Sequence, residues 1–508
     1  MFDLFQKNFE CIVQLRELFI PEFMPVSLTK EHHTIYESIC KSIYNVIVRT
    51  IPTVDETQKS GLLRLTILQT SIHKRLGRKN SFLENVHNCL LALLMLNISL
   101  EELIQYYDYV IKSLNSLEAS LYPAVINNLS LLYTHLLKNE KYKLASRCYN
   151  STCEWLKCLK DKEFGFLSDI MEIVEWVNPG NGTSVTTQTP ERVHTSLKTY
   201  HKNYGSTAAL QSVCTLVSSV GYAVLQLYKK NNLSIENAHF YNFLNDVAVI
   251  LAKNPYTCHC KKCSTATNIN EALRILNTIG GLGRLCITNK NDLSRSYKID
   301  IFRYLEKQVD YVTTLKSNKC EKWEKHWYDV GVHLYSIGTH LYQKNETEML
   351  MLYLQKFVRT LLKLEGFEPK IIDRTYLVSA FSCIANAHFE SQDFEKSLLL
   401  SSLAIICSDS PKKEINRWIK TKVVSREKSI EGNSELQLLT LVSVCGKYQT
   451  ELETYIPKSG LGLTTKRKIE LLHYELKQYN AKWKSKIPMS TVFGELSQIA
   501  SAQFTAEV

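Results

Sequence analysis

Glycine and proline are scarce in this chain. It has 18 glycines and 11 prolines in 508 residues, against usual shares of ~7% and ~5%. The tight hairpins of an all-β protein and the phosphate loops of many α/β enzymes draw heavily on those two residues. Both classes are therefore disfavoured. Local signatures of common chemistry are missing as well. No Gly-x-x-x-x-Gly-Lys-Ser/Thr, Gly-x-Gly-x-x-Gly, Gly-x-Ser-x-Gly or His-Glu-x-x-His occurs, and there is no protein-kinase set. The start, Met1-Phe2-Asp3-Leu4-Phe5, lacks a basic segment followed by an apolar run, so no signal peptide is read. The apolar run Cys89–Leu96 falls far short of the ~20 residues a membrane span needs. The expectation is a protein of the cytoplasm and nucleus with no membrane partner.

What is present is helical period nearly everywhere. Ile35, Ile39, Ile43, Ile47 and Thr50 recur on one helical face before Pro52. Ser81-Phe-Leu-Glu84 and Ser99-Leu-Glu-Glu102 have capping-box spacing, and Asn268-Ile-Asn-Glu271 is a looser version. Gly280-Gly281-Leu282-Gly283 follows a helical stretch and reads as a helix C-terminus rather than a phosphate loop. Trp323, Trp327, Val330, Leu334 and Ile337 form a buried stripe, with Lys319, Lys322 and Lys325 solvated opposite. Two gaps divide the chain. An N-terminal helical array is expected over 1–177 and a polar loop over 178–206. A C-terminal helical array follows over 207–508, with a Cys-rich loop at 255–267.

Charge and cysteine narrow the reading. The formal net charge is +11, and residues 408–488 hold 16 Lys/Arg against 9 Asp/Glu. Lys466-Arg467-Lys468 and the alternating Lys482, Lys484 and Lys486 lie there; Lys74-Arg75 and Arg78-Lys79 form a second run. Such runs attract acidic or phosphorylated partners, or are solvated helix faces. The 15 cysteines are scattered. Cys40, Cys89, Cys214, Cys383 and Cys407 sit in apolar helical patterns, as buried free thiols do in a reducing compartment. The one dense cluster is Cys258-His259-Cys260-Lys261-Lys262-Cys263. Cys258, Cys260 and Cys263 are weak zinc candidates: zinc wants four ligands, and only His259, His239 or Cys286 could be the fourth. The expectation is an unmetallated loop, no cofactor and no catalytic residue.

Self-similarity points to architecture. A tetratricopeptide repeat is a helical hairpin with small residues where its helices cross. Phe381, Ile384 and Ala385, then Phe394, Ser397 and Ala404, fit it. So do Leu129 and Leu132 with Tyr142, Ala145 and Tyr149; Leu334, Ile337, Gly338 and Leu341 fit more loosely. The spacing from Ile337 to Ile384 is 47 residues, longer than one repeat. The expected fold is all-α: an irregular tetratricopeptide-like α-solenoid, or superhelix, of helical hairpins.

Residues 361–446 carry a family resemblance. Leu361-Leu362-Lys363-Leu364-Glu365-Gly366-Phe367 precedes a helix with Tyr376, Ser379, Ile384-Ala385-Asn386-Ala387 and Phe389. Phe394, Glu395 and a helix ending at Cys407 follow. This order resembles the helical, tetratricopeptide-like arm of separase, the cysteine protease that cleaves cohesin at anaphase. The resemblance implies a partner protease domain or subunit and a securin-like inhibitor bound as an extended peptide. The family's catalytic His-Gly motif is absent, and Cys445-Gly446 has the wrong order for its nucleophile motif.

The function expected from all this is a non-catalytic helical-repeat scaffold in sister-chromatid separation. It would bind a protease partner, an extended securin-like inhibitor or a substrate peptide, and no nucleic acid. Two alternatives stay open: another assembly subunit, of cohesin-loader or ubiquitin-ligase scaffold type, or a fragment of a cysteine protease lacking its catalytic half.

Overall fold

The computed structural model describes residues 29–50, 56–76, 79–95, 98–114, 119–158, 162–180, 188–253, 269–290, 292–366, 369–409 and 412–427. No strand occurs among them. The helices are α1 (Lys30–Thr50), α2 (Glu56–Arg75), α3 (Lys79–Met95), α4 (Leu100–Ser113), α5 (Tyr122–Lys138) and α6 (Tyr142–Lys157). They continue as α7 (Lys162–Trp176), α8 (Thr189–Tyr204), α9 (Ala208–Asn231), α10 (Ala238–Lys253), α11 (Ile269–Asn289) and α12 (Arg295–Ser317). The last are α13 (Trp323–Gln343), α14 (Thr347–Glu365), α15 (Arg374–Glu390), α16 (Phe394–Cys407) and α17 (Lys412–Glu427).

Hydrogen bonding at the helix ends explains how so few glycines suffice. The hairpins α5–α6, α13–α14 and α15–α16 share one three-residue turn. Its first residue is near-helical: Asn139 at φ −92, ψ 10, Lys344 at −90, 2 and Ser391 at −77, 4. Its second is left-handed: Glu140 at φ 58, Asn345 at 59 and Gln392 at 65. Its third, Lys141, Glu346 or Asp393, opens the next helix at φ −94, −87 or −85. The N–H of that third residue donates five residues back, to the carbonyls of Leu136, Leu341 and His388, at 2.9, 3.0 and 2.8 Å. Two more helices end in the same way. Cys320 N–H donates to Leu315 O after left-handed Lys319, and Leu233 N–H to Tyr228 O after left-handed Asn232. These bonds satisfy carbonyls that every helix end leaves open. The left-handed position costs an ordinary residue ~1–2 kcal/mol, and here Glu, Lys, Asn and Gln bear that cost.

Gly205 and Gly366 end helices at φ 72 and 75, while other glycines allow close approach. A Cβ on Gly338 would lie 2.5 Å from Leu354 Cγ, so α13 and α14 cross with no room for a methyl. Gly283 is similar: its Cβ would lie 2.7 Å from Ile301 Cδ1. The run Gly280–Gly283 therefore does not end a helix, as its glycines suggested. It lies inside α11, where α12 presses against it.

The described residues form two compact units. One gathers α1–α10 and α11 as far as Thr278; the other holds α11 from Ile279 together with α12–α17. This division differs from the expected one at 178–206. Residues 189–204 of that supposed loop are helix α8, opened by Pro190 in its first turn and burying Val193, Leu197 and Tyr200. Ser81 is also misread: α3 already starts at Lys79. Ser99 does cap α4, its hydroxyl accepting from Glu102 N–H at 3.4 Å.

In the second unit the order of packing is that of an irregular tetratricopeptide-like α-solenoid. Each of α12–α17 packs on the next, and α12 also packs on α14 and α13 on α15. Along α12 and α14, Lys298 pairs with Glu346 and Lys356 with Glu306, at 2.6 and 2.8 Å. The expected hairpin face of Phe381, Ile384, Ala385, Phe394, Ser397 and Ala404 is buried, as are Trp327, Val330, Leu334 and Ile337, whereas Trp323 is half-buried. In the first unit Leu129, Leu132, Ala145 and Tyr149 are buried and Tyr142 is half-buried. In the first unit α5 is central, with α3, α6 and α9 packed against it. Helix α9 is long and apolar enough to cross a membrane by length and composition. In this fold it is a core helix, with Leu210, Val213, Leu216, Val220 and Val224 buried.

Two substitutions separate these effects. Lys319→Gly relieves the left-handed position and is expected to raise stability by roughly 0.5–1 kcal/mol, net of glycine's entropy. Gly338→Ala is expected to lower it by ~1–3 kcal/mol despite alanine's better helix propensity. Urea unfolding of the two variants beside the parent chain measures both signs.

Candidate functional site

The first unit carries an open groove of about 800 Å³. Helix α5 is its floor. Ala124, Asn127, Asn128, Leu131, Thr134, His135 and Lys138 line it, and their spacing keeps them on one face of α5. From 124 to 138 that face is ~21 Å long, the reach of about six extended residues. Helix α3 forms one wall with Glu84, His87, Asn88 and Leu94; α9 forms the other with Thr215, Ser219 and Tyr222. Arg274 of α11 completes the lining.

Some of these groups are spent on the fold. Asn128 Nδ2 donates to the Leu83 carbonyl at 3.3 Å, so its Oδ1 accepts from His87 Nδ1 at 3.0 Å. That places a ring proton of His87 on Nδ1. Arg274 Nη1 donates to both carboxylate oxygens of Glu271, at 3.0 and 2.9 Å, and the Ser218 hydroxyl donates to Glu271 at 3.3 Å.

Other groups are unspent. The exposed Asn88 and Asn127 make no hydrogen bond to another described residue. Thr134 Oγ1 is buried with no partner. Helical threonines elsewhere in this chain return their hydroxyl to the carbonyl four residues back, as Thr66, Thr152 and Thr215 do. An unmet buried hydroxyl costs ~1–3 kcal/mol. Burial, and then Lys138, pushes the His135 imidazole down, which favours its uncharged form. The groove thus offers carboxamides and a hydroxyl, which donate and accept together, between the apolar surfaces of Leu94, Leu131 and Tyr222.

No cysteine is among the residues that line the groove. Of the ten described cysteines only Cys158 is exposed and Cys383 is half-buried. Burial pushes the Cys40, Cys89 and Cys214 thiols up to about 12 and Cys153 to about 11, and raises Cys148 further still. A thiol held that high is poorly ionised and a weak nucleophile.

The residues singled out from sequence fall elsewhere. Cys258, Cys260 and Cys263, His259, Lys466–Lys468, the Lys482–Lys486 run and Cys445 lie outside the described residues, as does the loop 255–267. The side chains of Lys74, Arg75, Arg78 and Lys79 do too. Of the other zinc candidates, His239 lies against His194, ring centroids 6.4 Å apart, and Cys286 is buried. Among the described residues no group of three or more His, Cys, Asp and Glu could hold a metal ion. Reasoning from sequence missed the groove because its residues are ordinary Asn, Thr, Ser and Tyr on separate helices. The heptad-like spacing of Ala124, Asn127, Leu131, Thr134 and Lys138 was the signal available.

No family model matches the chain, and no curated protein matches it. Among solved structures it is similar to one described as a circular tandem repeat protein with novel repeat topology and enhanced subunit contact surfaces. That likeness covers 98% of this chain and 97% of the other, at 15% identity and a TM-score of 0.27. At that score it carries no argument.

Thiol labelling tests the burial. Under native conditions iodoacetamide is expected to modify Cys158 ahead of Cys40, Cys89, Cys148 and Cys214, which react only as the chain unfolds. Peptide mass spectrometry reads the order. Labelling of one of those four faster than free cysteine would reveal an activated nucleophile.

Proposed function

We propose that this chain is a non-catalytic helical-repeat scaffold that holds an extended segment of a partner protein in the groove over α5. The observation that supports it most is the set of unspent groups there: the Asn88 and Asn127 carboxamides and the partnerless Thr134 hydroxyl. An extended backbone presents N–H and C=O alternately, and a carboxamide answers both at once. The high thiol pKa values of the buried cysteines agree with a role in which no side chain reacts.

The partner class comes from the likeness of residues 361–446 to the separase arm, a stretch that here includes the hairpin α15–α16. On that reading the bound segment belongs to a separase-type protease, to its securin-like inhibitor or to a substrate in sister-chromatid separation. Binding works through many weak contacts, each worth ~0.5–1.5 kcal/mol.

The test uses fluorescently labelled protease and securin-like segments with the parent chain and an Asn88→Ala/Asn127→Ala/Tyr222→Ala variant. All three positions are exposed, so the fold should survive. Three contacts at ~1 kcal/mol each predict roughly 100-fold weaker binding. Equal affinity for the variant would remove the groove from the account. Failure of every such segment to bind the parent chain would remove the separase partner.

A further inference from the structure

In the second unit α13, α15 and α17 lie side by side as one layer of the stack. Their side chains interlock in register. The Tyr335 ring stacks on Tyr376, centroids 4.5 Å apart and planes at 9°. Asn386 Nδ2 donates to Tyr342 Oη at 2.6 Å, and Arg417 Nε donates to Asn386 Oδ1 at 2.5 Å. Lys420 Nζ sits 4.8 Å over the Phe389 ring. On α15 the residues Tyr376, Ser379, Cys383, Asn386 and Phe389 recur every three or four positions, and all are half-buried. They form a continuous shallow face.

That face has cations without anions. Arg417 and Lys420 form no ion pair with any described residue. Arg417 Nη1 is buried and has no hydrogen-bond partner, although guanidinium donors taken out of water are normally met by acceptors. The nearby carboxylates are spent or unengaged. Asp393 is occupied by His388 and Lys396. Glu414, one turn before Arg417, and Glu390, one turn after Asn386, pair with neither cation. Asn386 fixes the geometry by accepting from Arg417 Nε and donating to the Tyr342 oxygen. The Tyr342 hydrogen and the Arg417 Nη donors stay available. Three donors of this kind, two of them cationic, match an acceptor with several oxygens.

We propose that the α13/α15/α17 face binds an oxyanion side chain, carboxylate or phosphoryl, of an extended partner peptide. Arg417 and Lys420 are the cations, Tyr342 is a third donor, and Asn386 positions the guanidinium. This rests on the scaffold reading above and names the chemistry of what the scaffold reads. Arg417 and Lys420 are two of the 16 basic residues of 408–488. The neighbouring tyrosine stack and Phe389 supply apolar surface beside the charge.

Fluorescence polarisation tests it with three labelled hexapeptides of the same flanking sequence, carrying alanine, glutamate or phosphoserine at the central position. The glutamate or the phosphoserine peptide, or both, is expected to bind at least tenfold more tightly than the alanine peptide, the preference fading as salt rises. Which of the two binds better assigns carboxylate or phosphoryl. Arg417→Gln and the exposed Lys420→Gln are each expected to remove about tenfold of that preference and to leave the alanine peptide unchanged. The Asn88→Ala/Asn127→Ala/Tyr222→Ala variant should retain the preference in full, so loss of the α5 groove and loss of this site are distinguishable. Equal binding of all three peptides, or an undiminished preference in Lys420→Gln and in a folded Arg417→Gln, overturns the proposal.

Discussion

How closely two helices can cross is the constraint on which this structure depends. A hairpin of long helices buries its apolar faces only if something small stands at the crossing and the chain reverses within three residues. Gly338 against Leu354, and the buried Ala145, Ser397 and Ala404, meet the first condition. The repeated turn with its left-handed second residue meets the second. Once both hold, successive hairpins stack. One layer of helices then presents side chains from several hairpins as a common face, and that face is where recognition becomes possible.

The same geometry decides what kind of chemistry the chain can do. Close packing puts most of the described cysteines deep among apolar side chains, where ionisation is suppressed. Polar groups inside the stacks are mostly consumed by it: Thr70 with Tyr106, Tyr107 with Thr152, and Tyr133 with the Val174 carbonyl. Against that background the unspent groups stand out. Among them are Thr134 and two asparagines over α5, and Nη1 of the Arg417 guanidinium above α15; others, such as Gln308, Trp155 and Trp418, lie within the stacks. The groups over α5 and above α15 belong to surfaces that would gain hydrogen bonds from an extended partner and need no reacting atom of their own.

Much of the fold was legible in the sequence. Most of the stripe from Trp323 to Ile337 and of the hairpin faces at 129–149 and 381–404, and the Ser99 cap, follow from period and side-chain size alone and are found in the structure, with Trp323 and Tyr142 only half-buried. What was not legible has physical reasons. The turns are hidden because Glu140, Lys319, Asn345 and Gln392 occupy a conformation usually marked by glycine. Helix α8 was missed because it follows a polar, proline-containing run, and its buried Val193, Leu197 and Tyr200 are few. Gly280–Gly283 misled in the opposite sense, since these glycines serve contact between helices and not a helix end. The candidate groove draws on residues from 83 to 274, and only the fold reveals them as neighbours.

Hydroxyl-radical footprinting of the chain, alone and saturated with the partner segment that binds it most tightly, tests the central claim most directly. It reports side-chain exposure without any substitution. The account predicts that Tyr222, His87, His135, Leu94 and Leu131 lose reactivity together on binding, while exposed side chains away from both binding faces, such as Tyr109, Tyr204 and Tyr328, keep theirs. Unchanged reactivity along the face of α5, with protection confined to residues outside the groove, would contradict it.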